Sequence, residues 1–218
     1  MEAGIWPRLD CRRNLGELIP YRKTASLLLE DKGLYLQFNE KKATQAAARF
    51  LRQSGGHMNY MKLIKLLYLA DRGAFLRWGR PISGDKYFLM RLGPVLSEVH
   101  DLITEVPCPD ERTFWRDYIS SPSEYEVQLK QDPGNDELSR AEEGLIDEVF
   151  AAYGHYEPFA LVEFLHRTLP EWKEIKSGRL PLEYREILQL GGMPAEAIEE
   201  IESELDSLRL VSSMHHTG

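Results

Sequence analysis

Asn59 to Trp78 reads N-Y-M-K-L-I-K-L-L-Y-L-A-D-R-G-A-F-L-R-W and is the most apolar segment of the chain. Asn59 offers a side-chain oxygen to the first free amides of a helix, and Lys62, Lys65 and Arg72 fall within about 80° of one another at the helical step. A polar stripe that narrow predicts a helix surrounded by protein. Gly79 and Pro81 end it, the first by offering a left-handed position, the second because it cannot continue the ladder. The segment does not read as a membrane span. Its longest apolar run, Leu63 to Ala70, is interrupted by Lys65 and falls short of the roughly 18 residues a bilayer requires.

Upstream, Ala43, Ala46, Ala47, Phe50 and Leu51 recur at helical spacing from Lys41 onward, and Gly55-Gly56 closes that run. Before it, Ala25 to Phe38 is apolar on both sides of Asp31-Lys32-Gly33. It is read either as a hairpin of Ser26 to Glu30 with Leu34 to Phe38, or as a helix. Downstream, Asp85 to Leu92 (D-K-Y-F-L-M-R-L) is a strand that stops at Gly93-Pro94, where Pro94 is expected to open a short helix through Ile103. Glu124 to Lys130 (E-Y-E-V-Q-L-K) alternates, with Tyr125, Val127 and Leu129 on one face, and is the expected partner of Asp85 to Leu92. Between the two strands, a polar stretch with Pro107, Pro109 and Pro122 reads as loop. Ser139-x-x-Glu142 is a capping box for a helix to Tyr153 that buries Leu145, Ile146, Val149 and Phe150. Glu157-Pro158 starts another, carrying Leu161, Val162, Leu165 and Leu169, which Pro170 stops. A short helix through Leu190 is broken by Gly191-Gly192. Pro194 begins a last helix whose seam is Ile198, Ile201, Leu205 and Leu208. The expected fold is mainly α (α+β): a helical domain at 41–210 with a small two-stranded antiparallel β element. It is preceded by an extension at 1–40 that holds the hairpin, if one forms, and followed by a flexible tail at 211–218.

Composition narrows the class. With 218 residues, 43% hydrophobic and 28% charged, the chain has the balance of a globular protein with one developed core, which excludes global disorder and fibrous repeats. Met1 to Pro20 carries five charges or more and no apolar core, so no signal peptide is read and a cytoplasmic location is expected. Cys11 and Cys108 show no C-x-x-C spacing, and the six histidines include no H-E-x-x-H, His215-His216 reading as a surface feature. No metal, cofactor or catalytic residue is expected. The net charge is −8, unevenly distributed: residues 41–100 hold 11 basic and 3 acidic side chains, and residues 101–218 hold 10 and 26. Either the two segments compensate each other in one fold, or one awaits a charged partner, or the surplus is solvated surface. The acidic total argues against nucleic-acid binding.

Four pieces in order, K-L-I-K-L-L-Y-L-A-D (Lys62 to Asp71), R-P-I (Arg80 to Ile82), L-G-P-V (Leu92 to Val95) and L-H-R-T-L-P-E-W (Leu165 to Trp172), resemble the SocA-like or Panacea domain. That family is known for K-L-Q-K-L-L-Y-Y-A-Q, a Y-G-P-V turn and a late H-x-x-x-P-W cluster. The resemblance runs from about Thr44 to Ile201. Leu92 stands where Tyr is usual, Ile64 for Gln, and P-E-W for P-W. The resemblance implies a bacterial or phage antitoxin, mostly helical and non-enzymatic, that binds one cognate toxin and neutralises it. Some relatives look instead like adaptors that deliver the toxin to a AAA+ protease such as ClpXP. A homo-oligomer is left open, and no membrane partner is implied.

Lys62 and Lys65 lie beside Tyr60 and Tyr68 on the stripe of the buried helix. Either their stems pack while the ammonium groups reach water or a carboxylate such as Asp71 or Glu98, or they meet an acidic toxin surface. Arg91 either pairs with Glu124 or Glu126 across the strands or presents its guanidinium to a partner. The expected partner-binding set is therefore Lys62, Lys65, Tyr68, Arg91 and Glu98. Gly93, Pro94, His166 and Trp172 are expected to be structural. His166 lacks a nucleophile and an orienting carboxylate at recognisable spacing. Trp172 is expected to be a buried aromatic packed near His166, so that its removal costs roughly 3 to 5 kcal/mol. The acidic last helix is either a solvated face or a mimic of nucleic-acid charge.

Overall fold

The computed structural model describes residues 36–104 and 113–214. Cys11, Cys108, His215 and His216 lie outside the described residues, as does nearly all of the expected hairpin.

Helix α1 (Glu40–Gln53) starts at Asn39, whose Oδ1 accepts the Lys42 amide at 2.9 Å, and it buries Ala43, Ala46, Ala47, Phe50 and Leu51. Strand β1 (His57–Asn59) leads into α2 (Tyr60–Trp78), where Asn59 Oδ1 accepts the Met61 and Lys62 amides and Gly79, at φ +68°, closes the helix. Leu63, Leu66, Tyr68, Ala74 and Phe75 are fully buried, so α2 forms the axis of the core, as its narrow polar stripe requires. Strands β2 (Tyr87–Met90) and β3 (Gly93–Leu96) form a hairpin, followed by α3 (Ser97–Thr104) and α4 (Phe114–Tyr118). Strand β4 (Glu126–Gln128) precedes α5 (Arg140–Tyr153), which has the reciprocal Ser139–Glu142 capping box. Helix α6 (Pro158–Thr168), strand β5 (Leu180–Leu182), α7 (Tyr184–Leu190) and α8 (Ala195–Met214) complete the order. The fold is mainly α with two small antiparallel sheets, and α8 reaches Met214, into the stretch read as a tail.

The strand pairing differs from the expected one. β2 pairs with β3 and β5, in the order β3-β2-β5, whereas β4 pairs with β1. Alternation identifies the buried face of a strand but not the edge it will meet. Gly93-Pro94 belongs to β3 rather than to a helix start: Met90 pairs with Gly93 and Leu89 with Pro94 across a turn formed by Arg91 and Leu92. Pro94 and Pro181 both sit on edge strands, where a missing amide hydrogen leaves no central ladder bond unmade. Helix α4 lies in the stretch read as loop. Thr113 caps it, and it buries Trp115 at 1% exposure.

The charge asymmetry resolves within the fold. Basic residues of α1, α2 and the turn after α2 meet acidic residues of the later segment: Lys41 with Asp136 and Glu137, Lys42 with Glu142, Arg49 with Asp147 and Glu143, and Arg52 with Asp132. Arg77 pairs with Glu148, and Arg80 with Glu204. Most of these pairs are partly solvated, so they orient α1 against α5 more than they stabilise it. The acidic helix α8 is neutralised in part the same way, Glu202 by Arg185 at 2.5 Å and Glu204 by Arg80.

Candidate functional site

The motif segments singled out in the sequence converge in the interior. Lys65, on α2, is 2% exposed, and its Nζ donates to the Pro94 carbonyl of β3 at 2.7 Å. Burial pushes its pKa from 10.5 down to about 7. Gly93 has φ +101°, and a Cβ there would stand 3.3 Å from Lys65 Nζ and 3.6 Å from His166 Nε2. Only glycine takes this backbone shape without strain and lets the β2–β3 turn press against both side chains.

His166, on α6, stacks flat on Trp172, with centroids 3.8 Å apart and planes 2° from parallel. Its Nε2 is buried without a hydrogen-bond partner among the described residues. Burial, then the Lys65 charge, lower its pKa, while a hydrogen bond to the Leu92 backbone opposes them. The adjoining Glu171 is fully buried. It accepts the Tyr68 hydroxyl at 2.6 Å and the Arg72 guanidinium at 2.6 Å (Nε) and 3.1 Å (Nη2). The P-E-W segment thus clamps α2 from the far end of α6.

A second buried layer lies beside the first. Asp71 accepts the Ser83 amide at 2.7 Å, the Ser83 hydroxyl at 3.1 Å and the Tyr87 hydroxyl at 2.8 Å. Burial still pushes its carboxyl up to about 6, the hydrogen bonds pulling the other way. Asp85 accepts the Glu98 and Val99 amides at 2.9 and 3.0 Å and so caps α3 from twelve or more residues upstream, with burial holding its carboxyl well above the usual range. Asp85, Ser83 and Glu171 gave no local sequence signal, because each meets a partner distant along the chain.

The five residues expected at a partner surface separate. Lys65 and Tyr68 are interior. Lys62 is half-buried, with Nζ donating to the Gly154 carbonyl at 2.6 Å. Neither lysine meets Asp71 or Glu98: both ammonium groups go to backbone carbonyls, and the Asp71 carboxylate already serves the Ser83 amide and hydroxyl and the Tyr87 hydroxyl. Arg91 is exposed in the β2–β3 turn and is not across a strand from Glu124 or Glu126, since β4 belongs to the other sheet. Glu98 is half-buried in the first turn of α3. Gly93, Pro94, His166 and Trp172 all lie in the packed cluster. Trp172 is only half-buried, however, with one face on His166. Trp172→Ala is therefore expected to lower the unfolding free energy by about 2 kcal/mol, less than for a fully buried tryptophan. Urea denaturation checks this, and a loss above roughly 4 kcal/mol would contradict the half-buried stack.

Each of these contacts joins two elements of one fold. Among the described residues no three His, Cys, Asp or Glu side chains converge as a metal-holding group, and no helix is long and apolar enough to cross a membrane. The fold and cluster define a small, mainly helical domain whose sequence motifs meet in its interior. Residues 63–173 match the family described as Antitoxin SocA-like, Panacea domain, and the chain belongs to that family. No curated protein and no solved structure matches the chain.

Proposed function

We propose that this protein is an antitoxin that neutralises a cognate toxin by direct, stoichiometric binding in the cytoplasm, making and breaking no covalent bond itself. Membership of the SocA-like antitoxin family carries the reading. The interior placement of Lys65, His166 and Glu171 supports it, since these groups hold the fold together instead of lining a reaction site. The module at 41–210 acts as the binding unit, with the exposed Arg91 turn among the elements available to a partner.

Co-expression with the product of the adjacent reading frame tests this. Rescue of growth together with copurification of the pair is the expected result. Absence of both would overturn it. Neutralisation that disappears when a AAA+ protease is deleted would replace occlusion by delivery for degradation.

A further inference from the structure

Leu92-Gly93-Pro94, where the β2–β3 turn enters β3, is held by two proton-binding side chains from two helices. Lys65 of α2 donates to the Pro94 carbonyl at 2.7 Å, and His166 of α6 bonds the Leu92 backbone. Between these anchor points Gly93 turns at φ +101°. Its missing Cβ would stand 3.3 Å from Lys65 Nζ and 3.6 Å from His166 Nε2, so the two nitrogens face one space. That Nε2 is buried and has no hydrogen-bond partner among the described residues, and no carboxylate there bonds either nitrogen. Glu171, beside the stacked Trp172, already answers Tyr68 and Arg72, and Asp71 answers Ser83 and Tyr87. Glu163, exposed on α6, acts on the ring only through space, while Arg91 and Arg167, chain neighbours of the two bonded residues, are exposed and add positive charge. Burial alone moves the Lys65 pKa, so no charged group on α1, α3, α5 or α7 answers its ammonium.

We propose that Lys65 and His166 form a proton-operated latch on the β2–β3 hairpin: the tip stays docked while at most one of the two side chains is charged, and comes away from α2 and α6 when both are. Two cations in one water-poor space repel, and neither has an anion to neutralise it, a cost that water entering beneath an opened turn removes. Strand β3 lies at the sheet edge and pairs with β2 alone, so lifting the tip breaks few ladder contacts. Opening grows as pH falls, because the docked side chains hold protons more weakly than exposed ones. Lys65 takes its proton near pH 7. His166 follows at a pH below its usual 6.5, held down by burial first and by the Lys65 charge second, and its proton adds an acid limb to the opening. The Trp172 face, stacked at 3.8 Å, favours a charged ring but holds it where the Lys65 ammonium repels it. Asp71, its carboxyl raised to about 6, works in the opposite sense, since it binds a proton more tightly when folded. The segment freed by the latch carries Arg91.

The test uses the full chain alone, so the latch is decided separately from the antitoxin reading. Amide hydrogen exchange is followed from about pH 7.5 to about pH 5 at residues 87–96, with the amides of α5 as the internal reference for the chemical pH dependence. In the wild type, protection of the hairpin relative to α5 is expected to fall at least about tenfold toward acid. His166→Gln keeps a donor for the Leu92 backbone but takes up no proton, and is expected to stay within about threefold over the same range. In Lys65→Met the NMR titration of His166 is expected to move to higher pH than in the wild type, because the repelling charge is gone. A flat wild-type profile, or one in which the hairpin and α5 lose protection together, would overturn the latch. So would an equal acid loss in His166→Gln or an unmoved His166 titration in Lys65→Met. The wild-type profile decides by itself should either variant fold poorly.

Discussion

Lys65→Met is expected to abolish most of the rise in stability that the wild-type protein shows between pH 7 and pH 10. Folding lowers the lysine pKa from 10.5 to about 7, because the ammonium is buried and meets only the Pro94 carbonyl. In this window the native state binds fewer protons than the unfolded chain, so the unfolding free energy increases with pH. The full interval corresponds to roughly 4–5 kcal/mol, present as a cost below pH 7 and relieved as pH rises toward 10.5. His166, which faces the same space, has a lowered pKa and is already neutral there, so it adds no slope of its own. Tyr68 and Tyr87, pushed well above 10 by burial, act only at higher pH and equally in both proteins. Methionine fills the volume and leaves one carbonyl unpaired, a loss of about 1–3 kcal/mol that does not vary with pH. Urea unfolding across the window decides the matter, and parallel curves for variant and wild type would refute the buried, neutralising lysine.

Glu171→Ala is expected to cost about 3–5 kcal/mol, the usual loss when one partner of a buried ion pair is removed. The carboxylate is fully buried and answers two donors at once, the Tyr68 hydroxyl and the Arg72 guanidinium, both at 2.6 Å. Truncation strands a mostly buried cation and a buried hydroxyl together. Glu171→Gln keeps an acceptor and is expected to cost less, about 1–3 kcal/mol. A double-mutant cycle with Arg72→Met separates the pair from the vacancy, because the second substitution removes the stranded charge and should recover part of the loss. A loss below about 1 kcal/mol for Glu171→Ala would mean that solvent reaches the pair.

These two residues mark how far the sequence could be read. Lys65 was visible as part of a narrow polar stripe, and a stripe that narrow correctly implied burial around it. Its partner was not visible, since a lysine on a buried helix reads equally well as reaching for Asp71, for Glu98 or for a toxin. Glu171 is legible in the sequence only as a departure from the family's motif. It stood as an insertion between Pro170 and Trp172, and its value depends on Tyr68 and Arg72, about a hundred positions earlier. Gly93, His166 and Trp172 stand in segments that the sequence marks as motifs. That Gly93 and His166 lie beside Lys65 is not legible in those segments. Tyr125 lies off the strand face on which alternation places it, because the pattern continues through a turn whose positive φ values break the pleat.

The sequence by itself determined the ends of several helices, because Asn59, Ser139, Pro158 and Gly79 satisfy or end a helix through atoms within a few residues, whereas Pro94 and Thr113 show that such signals can mislead or be missed. It also determined which helix would lie at the centre, through the period of its apolar residues. Only the tertiary structure decided which strands pair, which carboxylate answers which cation, and that a basic first segment is matched to an acidic second one. Those choices depend on distances between parts of the chain that no local pattern encodes. Several carboxylates and several edges were chemically suitable, and packing selected among them.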